Sequence, residues 1–344
     1  MSKKWKITLF SILSLAFIFI CLVGWWVWSS YAQIENAQKP KEESRFGQFE
    51  EKEEYKPPEW EGTERVNILL MGGDDRGLRE GEVPRSDTML VASFDPVTKK
   101  IHLFSVLRDT RVEIPGYRDN RANTALSLGG PDLAMKTIGN LMGLEVQYYV
   151  YADFQGFIKL VDALGGVDFY VEKDMKWTDN ADGNRYDIDL KKGQQHLDGE
   201  KALQYVRFRH DKLSDFTRTE RQREFLKAVA AKLKNGWNLI KLPDILGEVV
   251  PFVETNLSTN DMLKLATLGY NSHQAGSAQI PPMELVYDEN VGGSAMLGIR
   301  DRDKLKEYVQ EVLASDDSAP ETPDSSDPSD PSEPSASSGA EASP

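Results

Sequence analysis

The sequence predicts an α/β domain with a mixed central β-sheet flanked by helices on both faces, an α-β-α arrangement, preceded by one transmembrane helix. Three observations lead there. From Gly62 to Ala314, apolar runs of strand length interleave with stretches of helical periodicity. The first of those runs, Val66–Met71 (VNILLM), is apolar at every position but Asn67, as suits a strand covered on both faces. Finally, the 22 residues of Ile7–Trp28 carry no charge, enough to cross a hydrocarbon core of roughly 30 Å at about 1.5 Å per residue.

Lys3, Lys4 and Lys6 precede that apolar run and the next basic residue is Lys39, so residues 1–6 are expected in the cytoplasm and the bulk of the chain outside. Trp25, Trp26 and Trp28 supply an interfacial aromatic belt at the far end. Ser30-Tyr31-Ala32 resembles a signal-peptide cleavage site, but the length of the run favours an uncleaved signal anchor over residues 7–28. Residues 29–61, rich in Glu and Lys and containing Pro57-Pro58, read as a juxtamembrane linker. Residues 315–344 are almost entirely Ser, Pro, Asp, Glu and Ala and read as a disordered acidic tail. Between them lies the extracytoplasmic domain, residues 62–314. A net charge of −14 argues against nucleic-acid binding. The single cysteine, Cys21, leaves neither a disulfide nor a thiolate metal site.

Within the domain, Thr88–Phe94 and Ile101–Leu107 are the next strands, joined through Asp95-Pro96. Pro131 opens a helix with Leu133, Ala134, Ile138, Leu141 and Met142 on one face, ended by Gly143. Tyr148–Tyr151 is a strand, Phe154–Leu164 a helix stopped by Gly165-Gly166, and Val167–Val171 a strand. Asp198 caps a short helix, Gly199–Tyr205, that leads into an extended segment placing Arg207 and Arg209 on one face. Asp215 and Thr217 stand where a further helix begins, carried on by Phe225, Leu226, Val229, Ala230 and Leu233. Later helices are expected at Pro243–Val253, Asn260–Gly269 and Arg302–Leu313.

Chemistry-bearing residues gather at the ends of these elements. Arg207, Arg209 and Arg218, with Gln222 four residues after Arg218, converge beside a helix N-terminus. Guanidinium forks and helix-end N–H groups together suit a phosphate or pyrophosphate. Asp74, Asp75 and Arg76 follow the first strand, and Arg85-Ser86-Asp87-Thr88 open the second, so both sets sit at the ends of adjacent strands. Two such carboxylates suit one hard cation, Mg²⁺ or Mn²⁺, with phosphate oxygens and water completing the shell. Arg108-Asp109 close the third strand, and Arg121 and Asn123 follow as further donors. Neither a P-loop nor a G-x-G-x-x-G pattern is present. His102, His196, His210 and His273 are too scattered for a metal cluster or triad.

Seven segments occur in one order: GGDDR after the first strand, RSDT, SVLRDTRVEIPG, RANTAL with GGPDLAMKTI, DFQGFIKLVDALGGVD, LDGEKALQYVRFRH and DFTRTERQ. Over Arg65–Lys234 the chain thereby resembles the LytR-CpsA-Psr family of Gram-positive cell-envelope proteins. The resemblance implies a phosphotransferase that moves an anionic glycopolymer, wall teichoic acid or a capsular polysaccharide, from a polyprenyl-pyrophosphate carrier to peptidoglycan. It implies Asp87 and one of Asp74 or Asp75 as Mg²⁺ ligands, and Arg85, Arg108, Arg207, Arg209 and Arg218 as pyrophosphate-binding residues. Arg76, Arg121, Asn123, Asp215 and Gln222 stand beside them as substrate contacts. It also implies an apolar tunnel for the lipid, lined here by the Pro131 and Phe154–Leu164 helices. Leu107 replaces the proline that usually precedes the Arg-Asp pair. A polyprenyl-phosphate-binding module without chemistry, or a pyrophosphatase, is the alternative reading.

Overall fold

The computed structural model describes residues 60–74, 82–178, 183–210 and 215–315, with shorter pieces at 24–26, 28–29, 32, 39–40 and 42–49. The chain folds in the order β1 (Val66–Gly73), β2 (Ser86–Phe94), β3 (Lys100–Val106), β4 (Arg111–Val112), β5 (Asn120–Arg121), α1 (Thr124–Met142), β6 (Tyr148–Asp153), α2 (Phe154–Ala163), β7 (Val167–Val171), β8 (Met175–Trp177), β9 (Ile188–Leu190) and β10 (Gly193–Leu197). It continues with α3 (Gly199–Arg207), α4 (Asp215–Leu233), α5 (Gly236–Ile240), α6 (Leu242–Val249), β11 (Val253–Thr255), α7 (Thr259–Tyr270), β12 (His273–Ile280), β13 (Val286–Val291), β14 (Ser294–Ile299) and α8 (Arg302–Ala314).

Six strands form the central sheet in the order β11-β6-β1-β2-β3-β12. β1 pairs parallel with β6 and antiparallel with β2, and β3 pairs parallel with β12. The sheet is therefore mixed. Successive side chains of β1 point to opposite faces. Leu69 and Met71 enter a core closed by Met135, Ile138 and Met142 of α1 and Leu305 and Val309 of α8. Val66 and Ile68 enter another with Leu265 and Leu268 of α7. Helices α2, α3 and α4 build a third core from Ile158, Val161, Leu203, Phe225 and Val229. Two-sided covering is why VNILLM is apolar at every position but Asn67, which is buried with its Nδ2 donating to the Glu145 carbonyl at 2.7 Å.

Several boundaries differ from the sequence expectation, each for a local reason. Helix α1 begins at Thr124 and bends at Gly129-Gly130, where Gly130 has φ 73°. Pro131 restarts it, and Gly143 ends it at φ 68°. The expected helix Pro243–Val253 breaks into α6, a 3₁₀ turn at Val250–Phe252 and β11. Val253–Thr255 instead satisfies the free edge of β6. The expected arginine strand does not exist: α3 runs on to Arg207, and Phe208 turns the chain to extended geometry (φ −60°, ψ 130°).

Part of the expected linker belongs to the domain. Phe46 is 6 % exposed and packs edge-on against Tyr151, with ring centres 5.2 Å apart. Trp60 is equally buried, its indole N–H donating to the carbonyl of Glu64. Arg45 pairs with Glu254 at 2.7 Å and Asp153 at 3.2 Å. A composition rich in Glu and Lys hid two aromatic anchors and one arginine.

Among the described residues no helix is long and apolar enough to cross a membrane. Most of the expected anchor Ile7–Trp28, Asp75 and Arg76, and all of the acidic tail beyond Ser315 lie outside the described residues.

Candidate active site

A cavity of about 540 Å³ lies between the sheet and helices α2, α3 and α4. Its floor is made by in-register neighbours on one pleat of three strands: Val150, Leu70 and Leu90 in one row, then Ala152, Gly72 and Thr88. Phe154, Phe157 and Leu160 of α2, Leu203 and Val206 of α3, and Phe225, Leu226 and Val229 of α4 enclose it. The Pro131 helix takes no part, because α1 covers the opposite face of the sheet.

The apolar space closes on a charged cluster at one end, where Asp74, Asp87, Arg207, Arg209 and Arg218 line the wall. Asp87 owes its place to a bulge. Gly72 pairs with Thr88 but Gly73 pairs with Ser86, leaving Asp87 as the extra residue on β2. Strict alternation would send Asp87 and Thr88 to opposite faces; the bulge turns both to the cavity. Gly73 is required on the opposite strand, since a Cβ there would meet the Tyr151 hydroxyl.

Three elements, β3, α3 and α4, bring the guanidiniums together. Arg108, just after β3, reaches Asp87 at 2.5 Å, Asp109 at 3.2 Å and Asp215 at 3.4 Å. Burial alone would lower its pKa, but these three carboxylates outweigh it and raise it. Arg209 lies 3.9 Å from Asp87 and 3.8 Å from Asp215, and burial with the neighbouring Arg108 charge lowers its pKa. Arg218 is 2 % exposed and donates to the Asp87 carbonyl at 3.1 Å. Burial, then the Arg209 charge, lowers its pKa to about 10, so it stays cationic at neutral pH. Its Nε is buried without an acceptor, a cost of about 1–3 kcal/mol that an incoming anion would relieve. Asp215 sits among the three; burial would raise its pKa, but Arg218, Arg108 and Arg209 hold it below the usual carboxylate range.

Arg207 is positioned by other means. Its Nη1 donates to the Tyr186 carbonyl at 3.1 Å, and its guanidinium lies 5.0 Å from the Phe154 ring centre and 5.3 Å from that of Tyr186. Between Arg207 and Arg209 the buried Phe208 anchors the turn. Gln222 donates to the Thr88 hydroxyl at 3.0 Å and the Val206 carbonyl at 3.3 Å, tying α4 to β2 and α3. Arg121 and Asn123 do not line the cavity. Arg121 bonds Asp109 at 3.4 Å, and the Asn123 backbone N–H donates to the Arg108 carbonyl, so both brace the turn that presents Arg108. Arg85 is exposed at the start of β2, outside the cavity lining.

Two contributors are absent from the sequence reading. Arg221 is buried, pairs with Glu172 at 2.7 Å and donates to the Phe208 carbonyl at 2.9 Å, closing the C-terminus of α3. Trp177 of β8 meets His210 edge-on at the cavity wall. One more Arg among the five of Arg207–Arg223 and one Trp in a short hairpin carry no sequence signal that would single them out.

The LytR_cpsA_psr family profile matches residues 27–311. The chain belongs to this family. It is similar to regulatory protein MsrR of Staphylococcus aureus (strain COL), 31 % identical over 298 residues, covering 84 % of this chain and 86 % of MsrR. It is also similar to polyisoprenyl-teichoic acid–peptidoglycan teichoic acid transferase TagV of Bacillus subtilis (strain 168). That match is 33 % identical over 230 residues, 65 % of this chain and 58 % of TagV. Among solved structures, TagT bound to LI-WTA superposes with a TM-score of 0.61 at 28 % identity, covering 75 % of this chain and 93 % of that one. YwtF (TagT) with bound octaprenyl pyrophosphate lipid gives 0.57 at 27 % identity, covering 75 % and 92 %.

Proposed function

We propose that this LytR_cpsA_psr protein transfers an anionic glycopolymer, wall teichoic acid or a capsular polysaccharide, from a polyprenyl-pyrophosphate carrier to peptidoglycan. The observation that carries the reading is one cavity with two chemistries: an apolar trough that ends on clustered arginines. The trough suits a prenyl chain, the guanidiniums suit a diphosphate, and relatives of this chain bear names that join both. Anchored by Ile7–Trp28, the domain works outside the cell beside membrane-borne substrate and nascent wall.

Charge balance argues for a divalent cation. Arg108, Arg121, Arg207, Arg209 and Arg218 face Asp74, Asp87, Asp109 and Asp215, leaving little net attraction for a diphosphate. Among the described residues no three potential metal ligands converge, so a Mg²⁺ ion would rely on Asp74 and Asp87, with Asp75 as alternative, and on substrate oxygens. When bound it would neutralise phosphate charge and act as a Lewis acid at phosphorus.

The chain's own residues do the rest. Arg108, Arg207, Arg209 and Arg218 bind and orient the diphosphate and stabilise the charge that builds on the departing polyprenyl phosphate. A peptidoglycan muramic acid hydroxyl attacks the sugar-linked phosphorus. A new P–O bond forms, the bond to the polyprenyl phosphate breaks, and the hydroxyl proton leaves to a cavity carboxylate or water. The test is the full chain in proteoliposomes with a polyprenyl-pyrophosphate glycan and nascent peptidoglycan. Arg108→Ala should cut polymer attachment about 100-fold or more while circular dichroism stays unchanged. Undiminished attachment would refute the assignment, and free polymer without attachment would make the protein a pyrophosphatase.

A further inference from the structure

A second surface lies at the other end of the cavity. Helix α4 runs from Arg218, beside Asp87, to the opposite end of the sheet, where the adjoining Lys234 donates to the Ser272 carbonyl at 2.8 Å just before β12. Those sixteen residues span about 24 Å at about 1.5 Å each. The cavity lining follows the same path, from Arg218 and Gln222 to Phe225, Leu226 and Val229. Next comes α5, whose Trp237 and Ile240 are 64 % and 63 % exposed. The Nζ of Lys241 lies 5.4 Å from the Trp237 ring centre. Two large apolar side chains exposed three residues apart on one short helix form a contiguous patch of the kind that marks an interaction surface.

The N-terminal chain says what covers them. The Trp26 indole N–H donates to the Ile240 carbonyl at 2.9 Å, and Trp25 and Trp28 beside it are exposed. These tryptophans end the uncharged run Ile7–Trp28. From there the described pieces climb the sheet edge: Lys39 donates to the Pro251 carbonyl at 2.9 Å, then Arg45 pairs with Asp153 at the charged end of the cavity. The exit of the anchor and the exposed helix therefore stand at one level, with the charged cluster at the other end.

We propose that α5 is an interfacial membrane contact. Trp237 and Ile240 enter the boundary between headgroups and acyl chains on the outer face of the bilayer, while Lys241 reaches back to the headgroups. The domain then stands upright on the membrane, apolar end of the cavity down, and the arginine cluster lies about 24 Å above α5. A prenyl chain passes from bilayer to cavity without crossing water. The proposal rests on the membrane-anchor reading above, but not on the transfer chemistry.

The full chain carrying Cys21→Ser and Ile240→Cys, labelled with bimane and reconstituted in phosphatidylglycerol/phosphatidylcholine vesicles, tests it. Val291→Cys, on the β13–β14 hairpin at the opposite end of the sheet, is the reference. Lipids with a nitroxide high on the acyl chain should quench bimane at 240 and leave 291 at the level of the water-exposed dye. Equal, weak quenching at both positions in protein that floats with the vesicles would overturn the proposal and leave the anchor standing. Failure to float would overturn both. Loss of the 240 signal on mixing with unlabelled protein, independent of nitroxide lipid, would assign the surface to a second copy instead. Each result is separable from the attachment assay.

Discussion

Replacing Asp215 by asparagine removes one charge and almost no volume from the centre of the guanidinium cluster. Its carboxylate lies 3.4 Å from Arg108, 3.8 Å from Arg209 and 3.4 Å from Arg218, with 21 % of the side chain exposed. At an effective dielectric of about 20, each such pair has a gross attraction of about 4–5 kcal/mol. Desolvation takes back most of it, and deleting one partner of a buried ion pair costs about 3–5 kcal/mol. Residual exposure sets the lower end, so Asp215→Asn should cost about 3 kcal/mol. For a domain of this size that lowers Tm by roughly 6–12 °C. The same change leaves three arginines under-compensated, so inorganic pyrophosphate should bind about tenfold more tightly, close to 1.4 kcal/mol. Thermal unfolding of the full chain at neutral pH, with and without pyrophosphate, reads both effects. The pH dependence has a defined sign. The folded-state pKa of Asp215 is lowered, so its stabilisation is complete above the unfolded value of about 3.9 and is lost as pH falls through the folded one. Asp215→Asn should lack that acid limb. A variant that melts within a degree or two of the parent and gains nothing extra from pyrophosphate would refute the view of Asp215 as counter-ion to the cluster.

Two further outcomes follow from the packing. Val150→Trp places a large ring on the cavity floor, so capture of a polyprenyl phosphate from mixed micelles should fall sharply while pyrophosphate-induced stabilisation is unchanged; equal loss of both would deny the cavity its role as lipid trough. Arg45→Ala leaves Glu254, 3 % exposed, with Lys39 at 3.8 Å, the Ser44 hydroxyl and the backbone N–H of residue 45 at 3.3 Å as its partners among the described residues, which should cost about 2–4 kcal/mol in urea unfolding and speed proteolysis within residues 39–49.

The parts legible in the sequence were those set by near neighbours in the chain. Val66–Met71 announces a strand covered twice, and Asp198 and Gly143 mark helix ends by side-chain capping and a left-handed turn. The segments that mark the family also carry most of the charged cluster. Harder to read was anything decided by a partner distant in sequence. Phe46 and Trp60 look like isolated aromatics in a charged stretch until β6 supplies Tyr151 and α7 supplies Leu268 to pack them. Likewise Arg121 and Asn123 share the polar character of the site yet serve the Arg108 turn, and nothing in Arg221 distinguishes it from Arg218 until Glu172 arrives from β7's far end.

By itself the sequence determined the strand–helix alternation, the family and the residue types of the cluster, because periodicity, capping and motif order are properties of adjacent residues. Tertiary structure alone decided which of them meet. The bulge that turns Asp87 into the cavity depends on pairing between β1 and β2. Arg207 and Arg209 face one space because a helix ends between them, not because a strand alternates. Both outcomes follow from backbone groups finding partners far along the chain, and local preference carries no record of that choice.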